Sequence, residues 1–225
     1  MQTNRATRLT ASTLGVLVGL AGIDHGIFEI LQGNLAPDAI MIAAIGPDQR
    51  FWVYGEETAV TILPNFLVTG VLAVILGLLV TIWSAFFLQR KHGAIILMAL
   101  SILLFLFGGG FAPIFMALVA SLIATRINRP LIWWRKLFSG SVGSFLAKLW
   151  SGMLIAFVVL FVFNVVVAIF GWPLTVWLDA DSAFALLNTL ANIMLVLMLL
   201  SVLTGFAYDV QQLVENETTI DTRST

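Results

Sequence analysis

Cysteine is absent from the 225 residues, which excludes disulfides, thiolate metal ligands and thiol nucleophiles together. Histidine occurs twice, at His25 and His92, too sparsely for a stable zinc site, so no metal is predicted and no cofactor is assigned. Charge is scarce: Asp, Glu, Lys and Arg make up 10% of the chain, against about 25% in an ordinary soluble domain. Phosphate-binding glycine loops, HExxH, a nucleophile elbow, a channel selectivity filter and a long internal repeat are all missing. With them go the usual routes from sequence to a named reaction, and no substrate can be read.

What is present is apolar. At 60% hydrophobic residues, with several apolar runs of a length that crosses a bilayer, the chain reads as an all-α, polytopic integral membrane helix bundle forming a single transmembrane domain over residues 1–225. Six membrane segments are expected near 9–31, 60–88, 93–107, 111–125, 150–170 and 183–208. Residues 93–125 carry no charge and would be about 50 Å long as one helix, far beyond a hydrocarbon core of about 30 Å. A broken or re-entrant hairpin at Gly108–Gly110, just ahead of Pro113, resolves that excess. Residues 58–88 are also too long, at roughly 46 Å, which makes the first turns interfacial with Pro64-Asn65 as the transition. In the first loop, Asn34 and Pro37 predict a short helix over 38–45 stopped by Gly46-Pro47, followed by an interfacial belt of Phe51, Trp52 and Tyr54. The N-terminal run resembles a signal peptide, but its length favours a retained anchor, and the tail after Asp209 is expected to be polar and mobile.

The basic residues sort by side. Six segments place ten of the eleven Lys and Arg residues, Arg50 being the exception, in loops of one face, so both termini are expected in the cytoplasm and the membrane to be the plasma membrane. The loop 126–149 is basic and interfacial, with Arg129, Trp133, Trp134, Arg135 and Lys136 as candidate contacts for anionic phospholipid headgroups. The expected partners are therefore the lipid bilayer and a second copy or a membrane complex, and nothing in the chain has the signature of nucleic-acid binding.

One stretch concentrates the chemistry. Gly15, Gly19, Gly22 and Gly26 share a face of the first segment and predict close helix packing, with Gly70 and Gly77 as a second stripe. Along the edge of the first stripe, His25 and Glu29 lie four residues apart and are expected to pair with each other, while Asp24 projects from nearly the opposite side. Ionisable groups at membrane depth need partners or a wet cavity. Asn65, Asn164, Asn188 and Asn192 fall at similar depth, so the seven residues together predict an outward-facing polar pocket for a proton, cation or small polar solute. An accessory subunit whose polar groups only fix packing is the alternative, and a membrane enzyme with His25 and Glu29 as acid and base comes third.

Overall fold

Helix α1 (Arg5–Leu31) is the axis of the bundle, and in the computed structural model, which describes the backbone of residues 3–224 and the side chains of 3–217, it touches most other helices. Its nearest neighbour is α2 (Phe66–Ile82), which continues through a π-helical turn at Trp83–Phe87. Glycine is the reason they come so close. A Cβ on Gly19 would stand 2.5 Å from the Gly77 carbonyl oxygen, and one on Gly26 would stand 2.6 Å from that of Gly70. The backbones therefore pack in direct contact, which in lipid supplies the dispersion energy that burial supplies in water. Gly15 and Gly22 serve other neighbours, Ser84 with Leu97 and Leu104 respectively. The stripe is thus divided between α2 and α3.

Helices α3 (Gly93–Leu106) and α4 (Phe111–Ala124) form the hairpin that the three glycines predict. Each arm has 14 residues, about 21 Å, short of the roughly 30 Å core. The first loop descends to meet the hairpin tip. Residues 38–45 are not helical: β1 (Met41–Ala43) pairs antiparallel with β2 (Thr58–Val60), with Ile42 opposite Ala59. A helix of eight residues is marginal alone, whereas β2 offers these residues a ladder. The Asn34 side chain accepts from Asn65 Nδ2 at 2.6 Å instead of opening a helix. The ladder reaches the hairpin, because Gly108 N donates to Val60 O at 2.8 Å and Ile62 N to Leu106 O at 3.1 Å. Residues 58–61 are accordingly extended and 62–64 form a bend, rather than interfacial helix, and α2 starts only at Phe66, capped by Asn65, whose side chain accepts from Val68 N.

Helices α6 (Ser141–Phe170) and α8 (Ala180–Ser224) form an antiparallel pair, linked by the single turn α7 (Leu174–Trp177). Helix α5 (Ile132–Phe138) lies on α8, with Trp134 stacked between Phe138 and Phe206. The end of the basic loop therefore belongs to α6. The tail is likewise not a loose peptide: α8 runs on past Asp209 to Ser224, Gln211 Nε2 donates to Phe138 O at 2.5 Å, and Glu217 pairs with Arg135. Arg223 lies outside the described side chains.

Four helices are long and apolar enough to cross a membrane, α1, α2 with its π turn, α6 and α8 up to Glu217, while α3 and α4 are shorter. The chain is a helical membrane bundle. Contacts assemble the basic residues at one end. Asn4 Nδ2 donates to the carbonyls of Arg126 and Arg129, Asn128 Nδ2 donates to Gln89 O beside Arg90, and Ser144 next to the Lys148 turn meets Gln211. Arg50, paired with Glu56, belongs to the opposite end.

Candidate functional site

At that opposite end the last turns of α1 run under the β-hairpin. His25 is buried at 4% exposure, and its Nε2 meets Glu57 Oε2 at 2.5 Å. Glu57 immediately precedes β2, and its carbonyl accepts from Ala44 N at 2.7 Å, so the strand pairing holds the carboxylate over α1. Its side chain is 30% exposed. Burial by itself would raise the Glu57 carboxyl, but the His25 hydrogen bond and charge outweigh it and hold the group below its ordinary value.

Glu29 lies one turn further along α1 and is fully buried at 0% exposure. The expected His25–Glu29 pair does not form: neither Glu29 oxygen has a hydrogen-bond partner, and neither does His25 Nδ1. The hairpin tip covers both side chains. A Cβ on Gly108 would fall 2.2 Å from Glu29 Oε1, and one on Gly110 would fall 2.5 Å from His25 Cε1. Both glycines have positive φ, +96° and +77°, so this turn is open to glycine for conformational and steric reasons at once. Beside it, Thr61 and Thr69 are buried and share a hydrogen bond of 2.7 Å between hydroxyls. Asp24 is half-buried and stands close enough to Glu57 and His25 to feel their charges.

The asparagines are elsewhere. Asn65 caps α2, Asn164 donates to Leu160 O within its own helix, Asn188 donates to Phe184 O, and none of the four hydrogen-bonds to Asp24, His25 or Glu29. Asn188 and Asn192 are exposed on α8. The expected seven-residue pocket contracts to Asp24, His25 and Glu29, joined by Glu57, Gly108 and Gly110. Glu57 is not among the candidates read from the sequence; its place just before the strand-forming run Thr58-Ala59-Val60-Thr61-Ile62 is the signal for a strand that could carry it into the bundle. The aromatic belt also has protein partners: Phe51 meets Phe170, Trp52 Nε1 donates to Ala168 O, and Tyr54 stacks on Phe184 while donating to Asp181.

At the basic end, the headgroup candidates divide. Trp134 is turned inward and Arg135 is held by Glu217, whereas Trp133 is 66% exposed. Among the described residues no three His, Cys, Asp or Glu side chains are placed to hold a metal ion. No protein family, curated protein or solved structure matches the chain.

Proposed function

We propose that this chain is a transport-class membrane protein that takes up a proton, or a small cation in its place, at Glu29, with His25 and Glu57 linking that carboxyl to the loop side. The observation that carries the reading is the Glu29 carboxyl itself, fully buried with both oxygens free of hydrogen bonds. An ionised carboxylate buried without a partner is costly enough that the group is a place where a positive charge binds. The hairpin tip supports the same reading, since irregular backbone at membrane depth is a recurrent setting for ion sites. The neighbouring His25–Glu57 pair, closed and fully engaged at Nε2, favours a second reading in which the polar groups only lock the loop onto the bundle.

Topology enters the proposal as well. The collection of basic residues at one end supports six membrane segments with both termini in the cytoplasm and the plasma membrane as location. That end also has a groove of about 550 Å³ between α4, α5 and α8, with Arg126 and Trp133 in its wall, which supports contact with anionic phospholipid.

The deciding experiment compares wild type, His25→Ala and Glu29→Gln as purified protein. Thermal stability across pH 5 to 8, with and without divalent cations, is measured beside proton uptake into liposomes loaded with a pH-sensitive dye. Uptake by wild type that is lost in a folded Glu29→Gln supports the proposal. Loss of stability without a change in pH or cation response supports the packing reading, and identical behaviour of all three removes Glu29 as a binding group.

A further inference from the structure

Away from this site, α8 carries amides where hydrocarbon is expected. Asn188 and Asn192 lie about 12 and 18 Å along the helix from its start, in a stretch apolar enough to span a membrane, and both are exposed. Asn188 gives one amide hydrogen to Phe184 O at 3.0 Å, and the Asn192 side chain makes no hydrogen bond among the described residues. In a membrane-spanning stretch the Asn192 amide and the remaining Asn188 donor and acceptor would find no partner in lipid, a cost that membrane helices resolve by meeting another helix.

Their positions define how. Asn188, Asn192, Leu195, Leu199, Val202 and Phe206 follow one another at alternating steps of four and three, the spacing of a coiled-coil seam. Towards the basic end the seam is closed, since Phe206 is 5% exposed under Trp134. Towards the other end it is open, with Leu195 and Leu199 48% and 54% exposed. The row of core-type positions from Asn188 to Phe206 is therefore covered at its far end only, where Val202 and Phe206 line the groove between α4, α5 and α8 and Leu199 stands at its edge.

We propose that a second copy of this chain covers the open part, α8 against α8 in parallel, with Asn192 opposite its counterpart across a twofold axis normal to the membrane. Two copies in one bilayer share an orientation, so their α8 helices are parallel. An amide carries both a donor and an acceptor and is complementary to itself, whereas the seam has no charge to select an oppositely charged partner. Asparagine at a core position favours two parallel strands in register, which fits two amide layers above two leucines.

The chain has no cysteine of its own, so single cysteines report contacts without background. Full-length Leu195→Cys and Leu199→Cys should cross-link to dimers on oxidation in native membranes. Ile193→Cys, 46% exposed but roughly 100° or more round the helix from the seam, should not. Adding Asn192→Leu to the Leu195→Cys chain should lower the association constant in lipid nanodiscs by roughly 3- to 30-fold, the range for one interhelical hydrogen bond. Absence of dimer at 195 and 199, equal cross-linking at 193, a product containing another protein, or indifference to Asn192→Leu would each overturn the proposal.

Discussion

Glu57 is the residue whose protonation is most directly tied to the fold, because its pairing with His25 joins the loop to α1. Its carboxyl is held below the ordinary value in the folded protein, so with His25 protonated the carboxylate's contribution is complete just above the unfolded carboxylate range, about pH 4.3, and is lost as pH falls through the lowered folded value. The melting temperature of wild type should therefore drop as pH goes from about 5 towards 3. Glu57→Gln should melt lower at neutral pH and respond less in that acid window; equal slopes for the two would break the link between this carboxylate and stability. The sequence placed His25 and Glu29 correctly on α1, since helical spacing fixes which residues share an edge. It did not say which acid the imidazole reaches. That choice depends on a strand arriving from 32 positions away in the chain, and helical spacing carries no information about it.

Among the elements, α1 is held at both ends, by the β-hairpin and the α3–α4 tip at its C-terminal turns and by α8 at its start. The backbone N–H groups of Ala6 and Thr7 donate to the two oxygens of Asp209 at 2.9 and 2.7 Å, and the Thr7 hydroxyl adds a third bond at 2.6 Å. Free N–H groups in a first helical turn need such an acceptor, and here it comes from the far end of the chain. Asp209→Ala leaves those donors buried and should cost about 1–3 kcal/mol, read as a lower unfolding temperature in detergent with earlier proteolysis near residue 5. The glycine stripes were legible because their periodicity alone defines a face. The Asp209 cap was not, since a polar residue after a long apolar run reads equally well as the beginning of a tail. The strands failed for a related reason: three-residue elements take their identity from the partner they pair with.

For the molecule as a whole, the segregation of charge was the most legible feature, because loop composition survives errors in helix boundaries. It predicts that Ser139→Cys is labelled by an impermeant thiol reagent only from the cytoplasmic side, and Asp181→Cys only from the other. Labelling of both from one side would refute the six-segment reading. On the six-segment proposal, the hairpin that places Gly108 over Glu29 is also electrically short. A potential of 100 mV is worth about 2.3 kcal/mol per elementary charge, and spread over arms of about 21 Å instead of a core of about 30 Å its gradient is roughly 1.4 times steeper. On the proposed function, a proton arriving at Glu29 from the loop side stands at the head of that gradient, so membrane voltage acts on its onward step more strongly than on its arrival.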